Sequence, residues 1–501
     1  MIRNINLFIL GLLLVGIGAA LRHGERLGLS HVLSELPAST PAVLLAPRTW
    51  VLVGGVLMLA SLIAGTSIRF RRRRAREKFE AVPLDRIDAK VKQWCRTAEP
   101  DVPLLVDYLV FQAIRHGASD IHFDPGASGL EVKYRLEGMV HPVTLLARHL
   151  GTRIVNRLKV LSNLVIYKDQ TPQDGRFDRT DDEDFQTAQL KRSGLSKTDF
   201  RIAFMPTLHG ERIVIRILGS RGEESNLRTL GMSDRDLSTI QRLVAQPQGM
   251  IILTGPTGSG KTTTIFAALQ EILTQSEKQR SIATLEDPIE FDVANINQSQ
   301  VDEKRDFTFE KGLRAILRQD PDVIMVGEIR DLETARIAIQ AGMTGHLLIT
   351  TVHAGTSAAV FSRLAEMGIP AFSLNSAITA VIAQRLVRNI CPHCKTSRNC
   401  TEADLALMGL ALAPTDFQLY EGTGCARCDN TGYSGRTAIF EILEITEPIR
   451  RLISDGAGSE EIYMAAKKMG LNTLWDSGLA AVRAGITTVK EIDRTIASTM
   501  K

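Results

Sequence analysis

The segment Gly255-Pro256-Thr257-Gly258-Ser259-Gly260-Lys261-Thr262 carries the residue types and spacing of a loop that wraps phosphate. Small residues let successive backbone N–H groups turn inward around phosphate oxygens. Lys261 is then the group that reaches the β- and γ-phosphates, and Thr262 offers a hydroxyl to Mg²⁺. Thr263 completes the nucleotide-binding set and opens the helix-prone stretch Thr263 to Leu273. A helix N-terminus behind the loop adds a favourable dipole for an anion. The expected ligand is ATP with Mg²⁺.

Transfer of a phosphoryl group to water needs charge neutralisation and a group that positions or deprotonates the water. Glu328, in Gly327-Glu328 after an apolar run, reads as the Mg²⁺-side acid, where an aspartate is more familiar. Glu286 and Glu290, in Glu286-Asp287-Pro288-Ile289-Glu290, are the other acids near the site, and one of them is expected to orient the water. His353 ends a further apolar run and is placed to contact the γ-phosphate, whereas His346 stands at the opposite end of that run.

The elements that must position these groups are Met250 to Leu253, Ser281 to Leu285, Val323 to Val326 and Leu347 to Val352, separated by helical segments. Short apolar runs alternating with helices predict a parallel sheet covered on both faces. Ligands of such sheets sit beyond the carboxyl ends of the strands, so the four polar endings are expected to converge on one nucleotide.

Ahead of this unit, Val102 to His116 and Arg153 to Leu164 have helical apolar spacing. Leu130, Val132, Tyr134 and Leu136 alternate with Glu131, Lys133 and Arg135, the period of a strand with one wet face. Arg201 to Leu218 holds two strands around Leu208-His209-Gly210, and the Asp-Gly pair in Gln173-Asp174-Gly175-Arg176 reads as a turn rather than a strand. A smaller mixed α/β domain follows from these patterns.

Ile5 to Leu21 and Thr49 to Ile68 have the length and apolarity of membrane spans. Arg69, Arg71, Arg72, Arg73, Arg74, Arg76 and Lys78 follow the second run and hold that end in the cytoplasm by the positive-inside rule. The first run is also compatible with a cleaved signal peptide, since Gly18-Ala19-Ala20 offers small residues for cleavage. The net charge is only +4 over 501 residues, and much of the excess lies in the arginine run. No nucleic-acid partner is expected from such a balance. Length alone calls for two or three domains.

Cys391-Pro392-His393-Cys394 and Cys425-Ala426-Arg427-Cys428 supply thiolates as two close pairs. Each pair can clip two vertices of a tetrahedral Zn²⁺, a closed site with no open position for a substrate. Metal ligation in a reducing compartment fits this usage better than a disulfide framework. Cys95 and Cys400 are left over as packing residues.

From about Val102 to the C-terminus the chain resembles the secretion ATPases of type II secretion systems and type IV pili, the GspE/PulE/PilB family. Besides the phosphate loop, Thr284 to Glu290 resembles the family's Asp box, Asp320 to Asp331 its Walker B region and Thr344 to His353 its His box. Ser119 to Pro125 is similar to the motif of the family's N2 domain, with Gly117 where arginine is common. The resemblance implies Glu328 at Mg²⁺, Glu290 as catalytic base, His346 and His353 as the His-box pair, and Arg201 and Arg216 as arginines that approach the γ-phosphate. It implies a homo-hexamer in which the N2 domain closes over the ATPase domain, and a structural tetracysteine module.

The expected organisation is a membrane anchor over 1–78 with spans 5–21 and 49–68 and a basic stop 69–78, then a linker over 79–99. An N2-like domain over 100–225 and a RecA-like ATPase domain over 226–501 complete it, the latter including a zinc knuckle over 386–435 and a helical C-terminal segment. Two spans stand where most family members carry a soluble docking domain, so direct anchoring to the inner membrane is expected, with a platform protein as partner and the ATPase domains in the cytoplasm. The function expected is a motor for pilus or pseudopilus assembly or protein export. The other readings are a DNA-uptake or conjugation motor and a nucleotide-binding scaffold without turnover.

Overall fold

The computed structural model describes residues 79–178 and 199–496, apart from 80, 97–98, 169, 219–225, 291 and 410–417. The spans read at 5–21 and 49–68 and the basic stop lie outside the described residues, among which no helix is long and apolar enough to cross a membrane.

The first sheet is antiparallel throughout. Its strands are β1 (Asp120–Gly126), β2 (Gly129–Leu136), β3 (Met139–Leu146), β4 (Gln173–Asp178), β5 (Asp199–Thr207) and β6 (Gly210–Leu218), in the order β3-β2-β1-β6-β5-β4. The alternation read in the sequence is the pleat of β2. Leu130, Val132, Tyr134 and Leu136 are buried, and Tyr134 Oη donates to Leu109 O at 2.6 Å in the helix Val102–Arg115. That helix is capped by Asp101, whose carboxylate accepts from Leu104 N, and together with the helix Arg148–Leu161 it covers the apolar face of the sheet.

One expectation is overturned here. Gln173-Asp174-Gly175-Arg176 is not a turn but the start of edge strand β4, paired with β5. Gly175 is needed for a close approach, because a Cβ there would meet Ser162 Cβ at 3.0 Å. The Asp-Gly pair therefore marks crowding of a strand against the end of a helix.

The second sheet holds β7 (Gly249–Thr254), β8 (Ile282–Glu286), β9 (Asn297–Gln300), β10 (Val323–Val326), β11 (Leu347–Val352), β12 (Ile378–Ile390) and β15 (Tyr433–Glu444). The order is β15-β12-β7-β11-β10-β8-β9, with every neighbouring pair parallel except β12 and β15. Successive residues of each central strand point to opposite faces. Met250, Ile252, Ile324, Val326 and Leu348 enter one core, while Ile251, Leu253, Val323, Met325 and Ile349 enter the other, which includes the helix Lys261–Gln275. A small sheet of β13 (Lys395–Arg398) and β14 (Leu419–Gly422) accompanies the cysteine pairs.

The two sheets belong to lobes that touch at the cysteine segment. Asp429 accepts from Leu84 N at 3.2 Å and meets His116 Nδ1 at 3.1 Å, while His116 Nε2 lies 2.8 Å from Val82 O. Glu137 also accepts from Gly435 N.

Within the first lobe, Lys159 is fully buried and its ammonium donates to Glu211 at 2.8 Å and to Lys168 O at 2.9 Å. Removing one partner of such a pair strands the other charge. Glu211→Ala is expected to destabilise the chain by about 3–5 kcal/mol, read by urea unfolding of the full chain, with Lys159→Met/Glu211→Leu recovering most of the loss.

Candidate functional site

The phosphate loop leaves β7 at Thr254 and enters the helix Lys261–Gln275. Gly255, Gly258 and Gly260 all take positive φ, at 149°, 77° and 87°. The reason differs along the loop. A Cβ on Gly255 would lie 2.6 Å from Gln384 O, so the backbone passes too close to β12 for a side chain, whereas a Cβ on Gly258 would meet nothing within 4 Å. The loop is walled on one side and open on the other, as a phosphate cradle must be. Buried Ser259 Oγ has no hydrogen-bond partner.

Lys261 folds back on this loop, donating to Gly255 O at 2.8 Å and Pro256 O at 3.0 Å. Burial pulls its ammonium pKa down, and Arg385 adds to this while Glu328 opposes it. Thr262 and Thr263 follow on the first turn of the helix, half-buried and exposed respectively.

The expected convergence is present for the acids and for the second histidine. Glu328, just after β10, lies 3.6 Å from His353 Nε2 and pairs with Arg330. Thr351 Oγ1 donates to Gly327 O at 2.8 Å, which ties the end of β11 to the Gly327-Glu328 turn. His346 is not part of this cluster. It sits at the other end of β11, with Nδ1 3.3 Å from Ala341 O, a local structural contact.

Glu286 ends β8 buried, accepting from Thr284 Oγ1 at 2.7 Å and Gln298 Nε2 at 2.9 Å. Its pKa is raised by burial, which these two bonds partly offset. Glu290 presents its side chain to solvent yet is crowded by surrounding protein, and this crowding raises its pKa. The Glu286 charge raises it further, and Arg216 pulls it back. Glu286 is thus engaged by fixed donors, whereas Glu290 is the accessible carboxylate with an upward shift.

Arg216 therefore reaches the nucleotide edge electrostatically from the other lobe. It stands opposite Arg201 on β5 and opposite Asp120 on β1, and its Nε donates to Asp120 at 3.0 Å. Arg176 on β4 continues the row beyond Arg201. Like charges directly opposite one another on a sheet oppose folding. Exposed Arg201 and Arg176 so placed form a cationic row suited to an anion.

The cysteine segment closes into a compact ring. Sγ atoms of Cys391 and Cys425 are 3.9 Å apart, those of Cys394 and Cys428 3.8 Å, and those of Cys425 and Cys428 3.7 Å. All four sulfurs lie within 4.8 Å of one another. Tetrahedral Zn²⁺ with Zn–S near 2.3 Å sets its sulfurs about 3.8 Å apart, so the four thiols fit that ion. Backbones cross closely behind them, since a Cβ on Gly422 would lie 1.9 Å from Gly432 O.

The sequence reading passed over Gln384 and Arg385. Gln384 Nε2 donates to Ser259 O at 2.9 Å, and Arg385 Nη1 donates to Gln384 O at 2.9 Å, so β12 braces the phosphate loop. Both side chains are buried. The available signal was two consecutive polar residues inside the apolar run Ile378 to Ile390.

Comparison with known proteins agrees with this geometry. Residues 97–494 match the family described as Type II/IV secretion system protein. A type II secretion system ATPase E of Vibrio cholerae is 41% identical over 401 residues, covering 79% of this chain and 76% of its own. The type IV pilus assembly ATPase PilB of Pseudomonas aeruginosa is 39% identical over 421 residues, covering 83% of this chain and 71% of its own. Among solved structures, the ATPase DotB of Legionella pneumophila shares the fold with a TM-score of 0.56 at 20% identity, over 78% of this chain and 95% of that one. With a phosphate loop, strand-end acids and a tetracysteine ring in place, and relatives matched over most of its length, the chain belongs to the Type II/IV secretion system protein family.

Proposed function

We propose that the chain hydrolyses ATP to drive assembly of a type IV pilus or a type II secretion pseudopilus, or protein export through it. The observation that carries the reading is the meeting of the phosphate loop, Glu328 and His353 at one sheet edge in a member of this family. Lys261 leaves its two carbonyls to neutralise the β- and γ-phosphates, and Gly255 to Thr263 supply the cradle. Glu328 and Thr262 would hold Mg²⁺, which when bound neutralises charge on the phosphates. Glu290 accepts the proton of the attacking water, a role its accessibility and upward pKa shift favour over Glu286. His353 contacts the γ-phosphate side, and Arg201 and Arg216 bring positive charge from the first lobe, so that closure of that lobe is coupled to turnover.

The working form is a homo-hexamer, anchored through the 1–78 segment at the inner membrane with its ATPase lobes in the cytoplasm and a membrane platform protein as partner. The domain division runs near 79–99, 100–225 and 226–501. Cys391, Cys394, Cys425 and Cys428 would hold Zn²⁺ as a structural ion, consistent with their mutual spacing.

Lys261→Ala and Glu290→Gln are each expected to lower kcat by about a hundredfold or more. Equal ATPase rates in the unmodified full chain and both variants would overturn the motor reading. A base with a raised pKa loses activity, as pH falls, earlier than an ordinary carboxylate would, because its protonated form appears at higher pH. The acidic limb of the kcat profile should accordingly shift to lower pH in Glu286→Gln, where the neighbouring negative charge is gone. Finally, the purified chain should carry about one zinc per subunit. Chelation or Cys425→Ser should remove the metal and lower the melting temperature, measured by atomic absorption and a thermal melt.

A further inference from the structure

The chain leaves β11 as His353-Ala354-Gly355-Thr356-Ser357, a loop held from three strands. Thr254 Oγ1, at the end of β7, donates to Ala354 O and accepts from Ala354 N, both at 3.0 Å. Arg385 on β12 donates through Nη2 to Gly355 O at 2.8 Å. Glu441 on β15 accepts through Oε1 from Ser357 N at 3.1 Å and from Ser357 Oγ.

The second oxygen of Glu441 looks the other way. Oε2 accepts from Leu474 N at 3.2 Å and from Tyr463 Oη at 3.3 Å, in the helices Leu474–Arg483 and Ser459–Lys468. Glu441 is 1% exposed, in an otherwise apolar stretch of β15 beside Ala383 of β12. A buried carboxylate is a costly group unless its oxygens are satisfied. An apolar residue would fill the space more cheaply. What only an acid provides here is acceptance from the β11 loop and from the C-terminal helices at the same time.

We propose that Glu441 is a positioning residue for ATP hydrolysis. Through Ser357 it fixes the loop whose first residue, His353, stands 3.6 Å from Glu328, and it ties that loop to the C-terminal helices. The proposal rests on the reading of His353 as a group at the γ-phosphate. Glu441 touches no substrate, and nucleotide affinity is set by the phosphate loop on the far side of Thr254. Displacing a catalytic group by about 1 Å suffices to slow chemistry by up to ~100-fold.

The test uses the full-length chain with Glu441→Gln, Ser357→Ala, the double variant and His353→Ala, assayed well below their melting temperatures. Affinity is read with a fluorescent ATP analogue and turnover by phosphate release. Glu441→Gln is expected to lower kcat by about tenfold or more with analogue affinity within about threefold of the parent. Ser357→Ala should lower kcat less, and the double variant should be no slower than Glu441→Gln, because both changes cut one connection. Multiplying losses in the double variant, or affinity falling in step with kcat, would overturn the proposal. So would parental kcat in Ser357→Ala and Glu441→Gln while His353→Ala is slow, and that result leaves the His353 reading standing. Parental kcat in His353→Ala would overturn both. If Glu441→Gln does not fold, parental kcat in Ser357→Ala overturns the proposal alone.

Discussion

Parallel hydrogen-bonded ladders running from β12 through β7, β11, β10 and β8 to β9 oblige the chain to leave every one of these strands at the same edge. The phosphate loop, Glu328, Glu286 and His353 are brought together by that constraint and not by attraction among themselves. Because the strands are buried on both faces, a one-residue slip would send every side chain into the opposite core, whose close packing it does not fit. Positional accuracy at the edge is therefore inherited from the two cores beneath it.

The edge is divided between groups already satisfied and groups left with capacity. Glu286 is engaged by two neutral donors and Lys261 by two carbonyls, so neither is buried without hydrogen bonds. Buried Ser259 Oγ has no such partner, and the Glu290 carboxylate is exposed. The opposing sheet acts on Glu290 through Arg216, which stands between Asp120 on one neighbouring strand and Arg201 on the other.

The sequence made this edge legible because its parts lie at strand ends, where apolar runs stop and polar residues begin. Met250 to Leu253 and Leu347 to Val352 announce themselves, and so do the residues that follow them. β12 and β15 were not read as strands. Gln384 and Arg385 break the apolar pattern of the first, because Gln384 bonds the phosphate loop and Arg385 the loop that follows β11. The strand β4 was hidden by an Asp-Gly pair that local preference assigns to turns, and the nearness of Ser162 and Leu164 explains the glycine. What escaped the sequence in these strands was a tertiary neighbour. The two histidines, by contrast, are already set apart by the apolar run between them, and only His353 reaches Glu328.

The bond between Asp429 and the first lobe has a mechanical corollary. Its carboxylate grows from a ring of crossing backbones that cannot lengthen, and it grips Leu84 N and the His116 ring from one short side chain. Each oxygen of the one side chain serves a different partner, so any tilt of the antiparallel sheet against its neighbour must either pivot about Asp429 or surrender one or both of these bonds.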